Sequence, residues 1–220
     1  MPPVPFRRLG LGLSLIALAF AAGSALPLIA QPNRPPPPPA TLKPVVVFTN
    51  ITDTHLRSLA LYGEMFKVIS SPRCMNCHPA GRSPEQGDDH HPHRPPVVAG
   101  PDGHGPPGLP CSTCHHAVNT PVVGSRLKSV PGNPKWALAP PEMSWEGKTA
   151  GAICVQIKDK KRNGGRDLQA LYVHMARDSL VGWAWHPGAG RTPAPGTQKA
   201  FGELVRAWID SGADCLIPPP

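Results

Sequence analysis

Large side chains are scarce in this sequence. Aromatic residues make up 5% of its 220 positions and charged residues 16%, while prolines number 32 and glycines 22. With hydrophobic residues at 40%, a core built from the polypeptide alone is thin. Basic residues outnumber acidic ones, for a formal charge of +8, yet no basic patch is interleaved with aromatics, which excludes a nucleic-acid surface. No cysteine precedes Cys74, which excludes a lipoprotein anchor. The only long apolar stretch lies near the N-terminus. There are just six cysteines, and their spacing is the most informative feature of the chain.

Four of them fall in two pentapeptides, Cys74-Met75-Asn76-Cys77-His78 and Cys111-Ser112-Thr113-Cys114-His115. C-x-x-C-H is the signature of covalent c-type haem attachment. Two thiols add across the two vinyl groups on one porphyrin edge, and the adjoining histidine reaches the iron from below. Paired C-x-x-C also builds structural zinc sites, but zinc pairs rarely carry an immediately following histidine. Two complete motifs therefore imply two covalently attached haem c groups, held by Cys74, Cys77, Cys111 and Cys114, with His78 and His115 as proximal iron ligands. Two porphyrins also supply apolar faces that offset the thin core.

The N-terminus agrees with this chemistry. Arg7 and Arg8 precede the apolar run Leu9–Phe20, and small residues follow at Gly23-Ser24-Ala25 and at Ala30. Residues 1–30 have the layout of a secretory signal peptide. The alternative is an uncleaved anchor over Leu9–Ala30, which just reaches the roughly 20 residues of a membrane span. Residues 31–44, with Pro35 to Pro39, form a polyproline II linker, and residues 45–220 the haem domain. Haem c is attached outside the cytoplasm, so the expected location is the periplasm. Membrane association is expected only if the N-terminal segment is retained. In that oxidising compartment the remaining pair, Cys154 and Cys215, reads as a disulfide. The run Lys158, Lys160, Lys161 and Arg162 suits a solvated helix C-terminus or docking to an acidic redox partner.

Periodicity predicts a first helix over Thr54–Ser70, capped by Asp53 or Thr54, with Leu56, Leu59, Ala60, Phe66 and Ile69 inward. Residues 79–110 and Pro121–Pro141 read as loops. A helix over Thr149–Lys161 buries Ala152, Ile153 and Ile157 and stops at Asn163-Gly164-Gly165. Asp167 caps a helix through Ala176, and a Trp183-Ala184-Trp185 turn follows. Thr197 caps a last helix with Phe201, Leu204, Val205, Trp208 and Ile209 inward, ended by Gly212. The expected fold is mainly α with extensive coil, short helices and Pro/Gly-rich loops wrapped around two haems.

The sixth iron ligands are less determined. His55, His90, His91, His93, His104, His116, His174 and His186 are available, with Met65, Met75, Met143 and Met175. His116 and Met75 adjoin attachment sites and point badly. The first choices are His91 or His93 for one haem and His174 or Met143 for the other. A methionine ligand would raise the potential.

Several segments resemble a known family: Ser71-Pro72-Arg73-Cys74-Met75-Asn76-Cys77-His78-Pro79-Ala80-Gly81, Gln86-Gly87-Asp88-Asp89, Trp136-Ala137-Leu138-Ala139-Pro140, Trp145-Glu146-Gly147-Lys148, Asn163-Gly164-Gly165-Arg166, His174-Met175-Ala176 and Leu180-Val181-Gly182-Trp183. Over roughly residues 50–217 the chain resembles the isoquinoline 1-oxidoreductase subunits, small exported haem proteins associated with molybdenum hydroxylases of the xanthine dehydrogenase type. It contains no molybdopterin or iron–sulfur motif. The resemblance therefore implies a non-enzymatic electron carrier, the cytochrome subunit of an oxidoreductase complex, whose partners are a periplasmic dehydrogenase and a respiratory acceptor. A dihaem peroxidase or a haem-based sensor are the alternatives.

Overall fold

The computed structural model describes residues 40–216, which close into one compact unit. The expected export segment 1–30 and the proline run of the linker lie outside the described residues. Residues 40–44 of the expected linker already belong to the folded body. The Ala40 carbonyl accepts from Gly196 N, Lys43 N donates to Glu64 Oε1 at 2.8 Å, and Leu42 packs on the core.

Among the described residues six α-helices alternate with irregular segments, several of them long. Helix α1, Thr54–Ile69, starts where Asp53 Oδ1 accepts from Leu56 N at 2.8 Å, a standard side-chain cap. Its buried face is Ser58, Leu61, Tyr62, Glu64, Met65, Val68 and Ile69, whereas Leu56 is exposed and Phe66 only half-buried. The stripe is thus rotated from the one predicted by apolar spacing. Two polar residues sit on the inner face because they hold distant backbone: Ser58 Oγ accepts from Asp214 N, and the Glu64 carboxylate from Lys43 N.

After a sharp turn, α2, Pro72–Met75, carries the first cysteine. Two minimal antiparallel pairs interrupt the loops: β1, Glu85–Gln86, with β2, His91–Pro92, and β3, Thr120–Pro121, with β4, Ser129–Val130. Helix α3, Ala150–Lys158, is capped by Thr149 and ends at Lys158, short of the expected Lys161. There Asp159 turns extended, and its carboxylate accepts from Lys161 N. Ala152 faces solvent, while Gln156 is buried and donates to the Glu142 carbonyl. Helix α4, Leu168–Arg177, is capped by Asp167, α5, Ser179–Gly182, by Asp178, and α6, Gln198–Asp210, by Thr197. Ile209 is only half-buried, because Trp208 occupies the inner position.

Helix α6 lies between α1 and α4. Tyr62 and Trp208 are fully buried, with ring centres 5.8 Å apart, and burying each large apolar side chain contributes about 1.5–3 kcal/mol. Tyr62 Oη donates to the Ala150 carbonyl at 2.8 Å, tying α1 to α3. Gly202 of α6 faces Ala176 of α4 so closely that a Cβ would collide. The C-terminal segment is stitched down at several points. Cys154 and Cys215 are joined as a disulfide, Trp208 Nε1 donates to the Asp214 carbonyl, and Lys158 Nζ to the Ala213 carbonyl. Among the described residues no helix is long and apolar enough to cross a membrane.

Candidate functional site

Each C-x-x-C-H motif occupies one tight helical turn. In the first, Cys77 N donates to the Cys74 carbonyl and His78 N to that of Met75. In the second, which follows the extended Pro110, Cys114 N and His115 N both donate to the Cys111 carbonyl. A proline at or just before the turn fixes its start, so the two thiols and the histidine of each motif leave one short segment together.

The two histidines are held in the same way. His78 Nδ1 lies 2.6 Å from the Met143 carbonyl, and its ring is stacked on Trp145 at 3.6 Å between centres and 4° between planes. His115 Nδ1 lies 2.9 Å from the Pro131 carbonyl, and its ring stacks on Trp136 at 4.7 Å and 12°. A carbonyl at Nδ1 must receive a proton, so Nε2 is the unprotonated nitrogen of each neutral ring. That is the usual outer support of a metal-binding histidine. Burial pushes His78 down to about 4, its bond to Met143 opposes this, and nearby His174 adds to the fall. Burial likewise lowers His115, against the Pro131 bond and with a further contribution from His93. Both imidazoles are therefore neutral near pH 7, the form that binds metal.

One loop supplies all four supports. Residues 131–145 contain both carbonyls and both tryptophans; the sequence predicts a loop over Pro121–Pro141 and, within this stretch, a role only for Met143, as a candidate distal ligand. Trp136 is further fixed edge-on against Trp183 at 4.9 Å, and Trp183 Nε1 donates to Asn119 Oδ1. The resemblance singled out these tryptophan segments but gave them no role.

The free cysteines are Cys74, Cys77, Cys111 and Cys114. Although Cys74 and Cys77 keep some exposed surface, burial raises their thiols to about 12 and about 11. Cys111 is raised by the same cause. None of these three is a reactive thiolate in the folded chain. Between the motifs lies a mainly apolar cavity of about 310 Å³, lined by Cys77, Cys111, Cys114, His115 and His93, within the usual range for cofactor sites.

Among the residues considered as sixth ligands, His93 has its ring paired with that of a proximal histidine at a tilt of 48°. Its ring centre is 5.9 Å from that of His115, and its Nδ1 donates to the Pro95 carbonyl at 2.8 Å, which leaves Nε2 as the nitrogen free to bind metal. Metal–imidazole bonds of about 2.0–2.1 Å put two rings sharing one ion roughly 6 Å apart. His91 does not fit that role. Its Nδ1 is 2.6 Å from Asp89 Oδ1 and its Nε2 is 3.1 Å from Gln86 Nε2, so both nitrogens are engaged. Met143 lies behind His78 rather than across from it, since its carbonyl holds the Nδ1 edge of that ring and its side chain is buried in the core. His174, on α4, is half-buried, with Nδ1 4.0 Å from Asp178 Oδ2. Burial lowers it, with Arg166 and Lys135 adding to the fall and Asp178 opposing it.

Among the described residues no group of three or more His, Cys, Asp or Glu side chains gathers into a metal-holding cluster. Compared with protein-family models, curated proteins and solved structures, the chain finds no match.

Proposed function

We propose that this chain is an exported dihaem c-type cytochrome that carries electrons from a periplasmic dehydrogenase to a respiratory acceptor. The resemblance suggests a molybdenum hydroxylase as the donor. The observation that carries the reading is His93 facing His115 across a cavity lined by both cysteines of the second motif. The two imidazoles, each supported at Nδ1 by a backbone carbonyl, lie with ring centres 5.9 Å apart, a separation suited to one iron.

The donor set fits haem c at both motifs. Cys74 and Cys77, and Cys111 and Cys114, would each add S–H across a vinyl C=C, a reaction that needs no external oxidant. His78 and His115 would be the proximal ligands, with His93 the sixth ligand at the second site and His174 the candidate at the first. Bound haem supplies a one-electron ferric–ferrous couple. The chain's own work is to hold the imidazoles, and Trp145 and Trp136 fix their planes by stacking. With His115 and His93 both held for the iron of the second motif, no position would remain there for peroxide, which favours outer-sphere transfer over the peroxidase alternative.

The test is a set of visible and EPR spectra in both redox states. The unmodified protein should be low-spin at both irons and should not bind carbon monoxide. His93→Ala should turn one iron high-spin and open it to carbon monoxide, with both haems still attached. A low-spin His93→Ala protein would overturn the assignment of His93, and rapid carbon monoxide binding by the unmodified protein would favour an enzyme or sensor.

A further inference from the structure

The cavity between the motifs carries two guanidinium groups that haem attachment leaves unexplained. Arg73 is 3% exposed; its Nη2 donates to the Gly87 carbonyl at 2.7 Å and to Asp88 Oδ1 at 2.6 Å. Its buried Nε has no partner among the described residues. Arg191, half-buried, also lines the cavity, and its Nη1 donates to Ser129 Oγ at 2.8 Å. Burial first, and then repulsion from Arg73, lower Arg191 to about 10, with Asp88 opposing. Arg191 in turn contributes to the lowering of His115, so it sits within electrostatic reach of the second motif's histidine.

Asp88 cannot balance both cations. Its side chain is 43% exposed, and it also accepts from Thr192 Oγ1 at 2.6 Å and Thr192 N at 3.1 Å. Two cations lining a mainly apolar cavity, with one half-solvated carboxylate to share, call for a second anion, because incompletely paired buried charge is costly. Guanidinium groups match carboxylates through parallel N–H donors.

We infer that Arg73 and Arg191 form an anion seat for a propionate carboxylate of the porphyrin attached at Cys111 and Cys114, and that this seat raises the reduction potential of that haem. The inference rests on the dihaem reading. A cation that neutralises the propionate makes adding an electron to the iron easier, so removing the cation lowers the potential. A free inorganic anion could satisfy the same chemistry, and the test separates the two.

Midpoint potentials of both haems are measured by spectroelectrochemistry on the full mature chain, with and without added inorganic phosphate, alongside intact mass. Arg191→Gln should lower one midpoint and leave the other in place. Arg191→Lys should keep most of the original value, and phosphate should move neither midpoint. If Arg191→Gln does not accumulate, Asp88→Asn carries the test, because removing the competing carboxylate should raise the same midpoint. Unchanged midpoints in a fully haem-loaded Arg191→Gln protein, or a fall in Asp88→Asn, overturn the seat. A phosphate-dependent midpoint in the unmodified protein overturns the propionate as its occupant. A mass without haem overturns the dihaem reading itself and is thereby told apart from failure of the seat alone.

Discussion

His91 and His93 are two residues apart in one histidine-rich loop, yet their surroundings separate them. The pleat of β2 turns His91 towards Gln86 and Asp89, while His93 emerges beyond it towards His115. Sequence could place both within reach of a haem, but the choice depends on which nitrogens already have partners. Donation from His91, then from Arg126, holds the Asp89 carboxylate down at about 2. His91→Ala should leave both irons low-spin and let Asp89 titrate nearer the ordinary carboxylate value of about 3.9, as read from its carboxyl carbon shift. A high-spin iron in His91→Ala would mean that His91 is the ligand after all. The Met143 case carries the same lesson. A methionine in a proline-rich loop looks like a ligand, but here its backbone oxygen meets the histidine and its side chain fills the core.

The helices were legible because their ends are written in capping residues. Asp53, Thr149, Asp167 and Thr197 each accept from a backbone N–H in the first turn. The buried face of α1 was less so, because Ser58 and Glu64 lie on it to hold the backbone of Asp214 and Lys43, contacts that apolar periodicity does not encode. Tyr62→Phe should cost about 0.5–1.5 kcal/mol by removing the donor to the Ala150 carbonyl, measured as a lower urea midpoint. An unchanged midpoint would mean that the bond contributes nothing net. Gly202→Ala should destabilise more visibly, since the new methyl would push α6 away from Ala176 on α4. Overpacking of this kind typically costs about 1–3 kcal/mol. A neutral result would show that the two helices can part without loss.

On the largest scale, the sequence predicts a mainly α fold with much coil, and the six helices and two minimal hairpins of the described residues agree. It did not disclose that one loop, residues 131–145, backs both histidines, because that arrangement joins positions far apart in the chain and has no local period. The Cys154–Cys215 bridge spans 61 positions and ties α3 to the C-terminus. In the chain-entropy view a loop of that length contributes roughly 4 kcal/mol. Mild reduction should lower the unfolding midpoint accordingly while leaving thioether-bound haem attached, and equal midpoints with and without reductant would count against it.

Everything proposed about electron transfer depends on two covalent haems, and the intact mass of the mature protein reads this directly. The protein should be made in a host with c-type maturation and measured after acid–acetone extraction, with Cys77→Ala/His78→Ala and Cys114→Ala/His115→Ala variants alongside. The account predicts the processed polypeptide plus two haem masses, and one fewer in each variant. A polypeptide mass without haem, or with haem that extraction removes, would contradict it.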